Sequence, residues 1–415
     1  MNEFEIAHKI NEYGGRLYIV GGAIRDEIMG FESQDKDYCV TGISVDEFAS
    51  LFPSAKIIGK DFPVFMLYGS EFALARKERK VASGYKGFSI ETSKSLTIED
   101  DLKRRDITIN AIAKEVLTGE IIDPFFGIED IKNKKIRHIS NSFAEDPLRV
   151  YRVARFAAKL EFNVDNETLK LMNSLKSELV TITPERVFVE LNKALTTRKP
   201  SIFFKVLKNA NVLDVHFKEI YDLIGIPQPE KYHPEGDVFN HTMIVLDKVS
   251  SKSKENYVRF SALVHDLGKA ITPKNILPQH IGHEEAGIKL VEDISNRLKL
   301  PNKWKKSGKE VAKYHMKAGI CSTMRPYKQA QFFNLLYRSK IGLDNMQIIS
   351  DSDDMLDRPK INYSKIAIEV LSQITGKTLI DEGIYPSKVG KENFFSLLLQ
   401  RQAELIKEKE EKYYT

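Results

Sequence analysis

Ten residues near the start of the chain, Leu17-Tyr-Ile-Val-Gly-Gly-Ala-Ile-Arg-Asp26, leave the backbone few paths. Leu17 to Val20 is a short apolar run with the character of a buried strand, Gly21-Gly22 permits a sharp turn that other residues adopt only with strain, and Ala23 to Met29 has helical spacing. That order turns free backbone N–H groups and a positive helix end toward whatever sits above Gly22. Phosphate is the natural occupant. Arg25, one turn into the helix, is expected to reach the same group with its guanidinium fork.

Asp35 and Asp37 follow, just ahead of the apolar Tyr38-Cys-Val40, and side chains two apart on a strand share a face. Two carboxylates on one face hold Mg²⁺. Hard divalent ions take oxygen ligands, and a pair of ions roughly 3.5 to 4 Å apart activates an attacking hydroxyl while neutralising a leaving phosphate group. A third carboxylate is expected from Glu71, whose segment Ser70-Glu-Phe-Ala-Leu-Ala-Arg76 alternates like a neighbouring strand. In Arg104-Arg-Asp-Ile-Thr-Ile-Asn110 the alternating Ile107 and Ile109 read as core. Arg105 and Asp106 are then placed at the sheet edge, with Arg105 reaching a triphosphate.

These motifs, with Glu71-Phe-Ala-Leu-Ala-Arg-Lys-Glu-Arg79 and Glu145-Asp-Pro-Leu-Arg149, run in the order found in the bacterial tRNA CCA-adding enzymes, class II members of the DNA polymerase β nucleotidyltransferase superfamily, which the chain resembles. The resemblance implies template-independent addition of CCA to tRNA from CTP and ATP, with Mg²⁺ at Asp35 and Asp37. It also implies that Asp146 and Arg149 read the incoming base. Cytosine and adenine both offer an exocyclic amine beside a ring-nitrogen acceptor, which a carboxylate and a guanidinium match; uracil and guanine have the opposite pattern. Arg152, on the same helix face, is expected to assist, and Asp123-Pro-Phe-Phe-Gly127 resembles the family's link from head to neck. As pure structure, Asp146 reads as a helix cap with Pro147 in the first turn, and Thr183-Pro-Glu-Arg186 as the start of a scaffold helix.

Six of the nine histidines, His233, His241, His265, His280, His283 and His315, fall within about a fifth of the chain, which points to metal. Leu263-Val-His265-Asp266-Leu-Gly-Lys269 resembles the doublet of the HD phosphohydrolases, with His241 upstream and an aspartate far downstream. The expected ligands are His241, His265, Asp266 and Asp353, with Asp351 and Asp354 as rivals for the last place. Lys269, His280, His283 and His315 are expected to support them. Mixed imidazole and carboxylate donors suit a transition ion such as Ni²⁺ or Mn²⁺ better than Ca²⁺. Fused HD domains in one branch of the CCA-adding family imply phosphatase or 2′,3′-cyclic phosphodiesterase activity. Two alternatives stay open: a bacterial poly(A) polymerase, and an HD-type nucleotide hydrolase with a vestigial head.

The 415 residues, 42% hydrophobic, are enough for several buried cores. The expected architecture is multidomain. An α/β nucleotidyltransferase head with a small mixed sheet (1–140) is followed by an all-α neck (141–225), an all-α HD domain (226–355) and a helical C-terminal tail (356–415). The Ile226-Pro-Gln-Pro229 break separates neck from HD domain, and Phe394 to Lys412 reads as an amphipathic helix. Two cysteines, Cys39 and Cys321, exclude a disulfide framework and fit the cytoplasm. No apolar run is long enough to span a membrane, so a membrane partner is not expected; a homodimer is left open. A net charge of +5 is too mild to establish nucleic-acid binding alone, but basic clusters at Arg76–Lys80, Lys103–Arg105 and Lys132–His138 lie where RNA phosphates are expected.

Overall fold

The computed structural model describes residues 1–32, 36–58, 64–80, 88–356 and 362–414; the strands and helices that frame a site in the first part of the chain stand beside a short pair of two-residue strands, Lys135–Ile136 and Asn163–Val164. Asp35 lies outside the described residues. The strands are β1 (Arg16–Val20), β2 (Asp37–Thr41), β3 (Lys56–Ile58), β4 (Val64–Leu67), β5 (Ser70–Leu74), β6 (Arg76–Lys80), β7 (Phe88–Thr92), β8 (Ala113–Glu115) and β9 (Ile121–Ile122). The helices are α1 (Glu3–Asn11), α2 (Gly22–Ile28), α3 (Val45–Leu51), α4 (Ile98–Lys103), α5 (Gly127–Lys132) and α6 (Arg149–Leu160). Asn2, Ser44 and Thr97 each start a helix through a capping box, satisfying N–H groups that a first turn leaves unpaired.

Seven strands form one mixed sheet in the order β3-β4-β5-β2-β1-β8-β9, and β6 pairs with β7 as a separate hairpin. Within this sheet, among the described residues, β2 and β5 alone run parallel, a pairing made possible by the crossover through α3, β3 and β4. One face is closed by aromatic rings: Tyr38 stacks on Phe72 at 4.6 Å, with Phe48 and Phe65 beside them. Tyr18, Val20, Cys39 and Ala113 cover the other face, packed with Ile98 and Leu102 of α4. Alternation along β2 therefore turns Asp37 to the α4 side, at the end where the apolar packing stops.

Ile107 and Ile109 are fully buried, but the segment does not extend the sheet. Thr108–Asn110 is a 3₁₀ turn, because local side chains compete for the backbone: Asp106 accepts the Ile107 N–H at 3.0 Å, and Thr108 donates its hydroxyl to Asp130. Helix α6 also begins later than its Asp146-Pro147 start predicts. Asp146 caps the preceding turn instead, accepting the Leu148 N–H at 3.0 Å.

The chain divides into two compact units, residues 1–186 with 202–212, and residues 187–201 with 213–415. The second unit is helical. Its core joins Val245, Val249, Val311, Phe332 and Ile349 with Leu399 and Ile406 of the long terminal helix Lys391–Tyr414, which contains the stretch expected from sequence. No helix among the described residues is long and apolar enough to cross a membrane.

Candidate functional site

Register brings the head carboxylates together. Asp37 is the direct partner of Glu71 in the parallel β2–β5 pair and of Val20, the residue before the glycine turn, in the antiparallel β1–β2 pair. Cross-strand neighbours point the same way, so Asp37 and Glu71 share a face, and both are exposed. Gly21 itself cannot carry a side chain. Its φ is +73°, and a Cβ there would stand 2.7 Å from Arg105 Nη1. Arg105 thus lies against the turn, held by the Asn110 carbonyl at 3.2 Å and Asp101 at 3.2 Å.

Arg25 is placed otherwise than expected. It is only 2% exposed, and a buried guanidinium needs partners, which Asp26 Oδ1 (2.7 and 2.8 Å) and Asn110 Oδ1 (2.6 Å) supply. It braces the turn from beneath Gly22 rather than facing outward. Nor does Asp106 stand at an open sheet edge, since it is buried. Asp106 takes Arg152 at 2.7 Å instead, while Asp101, which no sequence pattern singled out, holds both Arg104 and Arg105. Burial alone would raise both aspartates, but the facing guanidinium groups outweigh it and hold them below the usual carboxylate range.

At the start of α6, Asp146 is shared between the Leu148 N–H and Arg186 at 2.9 Å, giving that arginine a partner its scaffold reading did not foresee. Arg149, nearly buried, donates to the Ser142 and Arg104 carbonyls at 2.8 and 2.7 Å. Asp123 accepts the N–H groups of Gly127 and Ile128, so Asp123–Gly127 is a helix cap for α5.

Histidines and aspartates meet in the second unit. His241, His265, Asp266 and Asp353 place their donor atoms within 4.8 Å of one another, as do Asp266, His283 and His315. Of the three rival aspartates, Asp353 faces the histidines, with Oδ1 2.8 Å from His241 Nε2 and 3.3 Å from His265 Nε2. Asp351 accepts from Gln347, and Asp354 from the Leu356 N–H. Asp266 stands between the two donor sets. Its Oδ2 lies 3.2 Å from His265 Nε2, and its Oδ1 lies 3.3 Å from both His283 Nε2 and His315 Nε2. Lys269 Nζ lies 2.6 Å from Asp266 and donates to Gln228. His280 is not in the set: Thr272 and the Pro227 carbonyl occupy its ring nitrogens.

The outer ring nitrogens are pinned. His265 donates Nδ1–H to the Ala262 carbonyl, His283 to that of His280 and His315 to those of Val311 and Ala312. A carbonyl only accepts, so the Nε2 lone pairs of the neutral rings face inward, as metal ligands require. His265 Nε2 and both Asp266 oxygens are buried, with their charged neighbours close at 2.6 to 3.3 Å but none in hydrogen-bond geometry. Burial would lower the His265 pKa, but Asp266 and Asp353 push it up to about 10, the mark of a pocket that draws positive charge. Orphaned nitrogen and oxygen donors of this kind fit a transition ion. Gly268 makes the arrangement possible: a Cβ there would fall 1.9 Å from the His283 carbonyl oxygen. The cluster opens on a cavity of about 790 Å³ lined by Lys269, His283, His315 and Asp353, and also by His233 and Tyr363. Sequence reasoning missed Glu235, which accepts from His241 Nδ1 at 2.6 Å and carries no motif to mark it.

Known families match in the same order. The Poly A polymerase head domain matches residues 17–137, the Probable RNA and SrmB-binding site of polymerase A residues 161–223, and the HD domain residues 238–350. Solved structures match nearly end to end. The Thermotoga maritima CCA-adding enzyme complexed with tRNA_CCA is 21% identical, with 98% of this chain and 93% of that one covered and a TM-score of 0.65. A CCA-adding enzyme complexed with ATP is 21% identical over 99% of this chain and 94% of that one, TM-score 0.65. The Bacillus stearothermophilus CCA-adding enzyme in complex with CTP is 19% identical over 100% of both chains, TM-score 0.62. At such identity the shared property is the fold, a nucleotidyltransferase head with a mixed sheet followed by a mostly helical region that includes an HD domain.

Proposed function

We propose that this chain, which carries a poly A polymerase head, its RNA-binding segment and an HD domain, adds CCA to the 3′ end of tRNA from CTP and ATP and hydrolyses phosphoesters at its histidine cluster. The observation that carries the first activity is the register that sets Asp37 beside Glu71 and next to the Gly21-Gly22 turn. Oxygen donors alone suit Mg²⁺, which supplies activation of the tRNA 3′-hydroxyl and neutralisation of the leaving pyrophosphate. Asp37 and Glu71 would hold it with Asp35. The glycine turn and Arg105 orient the triphosphate, with Arg25 keeping the turn in shape. Asp146 and Arg149 read cytosine and adenine by exchanging Arg186 and the two carbonyls for the base edge, so nucleotide selection is coupled to movement at the start of α6. The partners named for the solved relatives, tRNA, ATP and CTP, agree with this reading.

For the HD domain, His241, His265, Asp266 and Asp353 would hold one ion and Asp266, His283 and His315 a second. Such ions supply charge stabilisation and an activated water for phosphoester cleavage. Lys269 fixes Asp266, and the cavity admits a nucleotide end. Two assays test these activities. A tRNA ending at its discriminator base should gain two residues with CTP alone and none with ATP alone. A 2′,3′-cyclic nucleotide should be opened in the presence of Ni²⁺ or Mn²⁺. Addition of A without prior C would favour the poly(A) polymerase alternative.

A further inference from the structure

His241 differs from the other inward-facing histidines in what stands behind it. His265, His283 and His315 give Nδ1–H to main-chain carbonyls, whereas His241 gives it to a carboxylate, Glu235 Oε1, at 2.6 Å. The same oxygen lies 3.0 Å from His233 Nδ1, and the two imidazoles meet edge to face at 4.8 Å. Glu235 Oε2 is buried without a hydrogen-bond partner, so a charged side chain has been desolvated for the sake of its other oxygen. Asp237 fixes the segment by capping the helix Val238–Lys252 and accepting the Gly225 N–H at 2.7 Å. His233, on the far side of Glu235, lines the cavity, and with Nδ1 occupied it has only Nε2 to offer there.

We propose that Glu235 is a positioning residue shared by two histidines: it holds His241 with its lone pair toward the metal position, and it holds His233 as a hydrogen-bond acceptor toward the cavity. This rests on the reading of the cluster as a metal site. A carboxylate behind a ligating imidazole raises its donor strength more than a neutral carbonyl does, and loss of such a partner typically costs about 10- to 100-fold in metal affinity. Glu235→Gln keeps an acceptor oxygen for His241 but removes the charge, so it isolates the electronic contribution from the packing.

Titration of the full-length protein with Ni²⁺ alone, after chelator treatment, followed by calorimetry and by the shift in melting temperature, gives the test. Glu235→Gln should bind Ni²⁺ about 10-fold more weakly, and Glu235→Ala more weakly still, both melting near the wild type without metal. His233→Ala should keep wild-type Ni²⁺ affinity and instead raise KM for a 2′,3′-cyclic nucleotide. Wild-type Ni²⁺ affinity in both Glu235 variants would overturn the proposal. So would a lowered metal-free melting temperature with affinity unchanged, which is what a purely structural Glu235 gives. A wild type that binds no Ni²⁺ would overturn the metal reading itself, a distinguishable failure.

Discussion

Asp37 illustrates what a single residue contributes at this site. Its Asp-x-Asp spacing and its place ahead of an apolar strand were legible, whereas its pairing with Glu71 depends on a parallel register that only the three-dimensional sheet decides. Asp37→Asn keeps the shape and removes the charge. It should reduce CTP and ATP incorporation by at least about 100-fold while tRNA binding persists, since metal ligands stabilise the transition state rather than the phosphates of bound tRNA. Single-turnover incorporation and a gel-shift assay check the two halves. Asp146 is legible only in part: a cap was foreseen, but for α6 itself rather than for the turn before it, and the Arg186 partner 40 residues away was not. Asp146→Ala should weaken CTP and ATP use together and relax rejection of UTP by about tenfold or more, because the discriminating edge would be gone. Unchanged nucleotide preference in competition assays would reduce Asp146 to a cap, worth about 1 kcal/mol.

Single elements were read best where hydrophobic period and punctuation agreed. The strand, glycine turn and α2 follow from Leu17 to Met29, and the terminal helix from its amphipathic pattern. Arg104–Asn110 was less transparent, since alternating isoleucines resemble a strand while Asp106 and Thr108 divert the backbone into a 3₁₀ turn. Burial of Arg25 was also hidden, because one turn into a helix can face outward or toward the core, and Asn110 lies 85 residues away. At the HD doublet the crossing of the Leu267–Ile271 turn over the helix His283–Arg297 depends on Gly268. Gly268→Ala should push His283 away from Asp266 and cost the protein metal affinity and roughly 1 to 3 kcal/mol of stability, as overpacking does. Calorimetric melting with and without Ni²⁺ measures both.

Across the whole molecule, two sets of donors of different chemistry sit in two compact units, carboxylates in one and histidines with aspartates in the other. Their activities should therefore separate. His265→Ala with Asp266→Ala should lose bound transition metal and phosphoester hydrolysis yet keep nucleotide addition; Asp37→Ala should do the converse. Elemental analysis checks the metal, and since Asp266 belongs to both donor sets, the double variant should lose both ions. Acid should act on the helical unit through His216. Burial, aided by Arg297, depresses His216 to about 4, so it is neutral in the fold and charges more readily once unfolded. Its contribution is fully present above the unfolded value near 6.5 and is lost as pH falls toward 4, amounting to as much as about 3 kcal/mol. Replacing His216 with Gln should flatten that part of the stability profile, read by denaturant melts from pH 7 to pH 4.

The most direct measurement is the 3′-end sequence of a tRNA that stops at its discriminator base, after incubation with the wild-type protein, Mg²⁺ and all four nucleoside triphosphates. The account predicts three added residues, C, C and A in that order, and then arrest, with no U or G. Runs of A, mixed additions or an unextended end would contradict it.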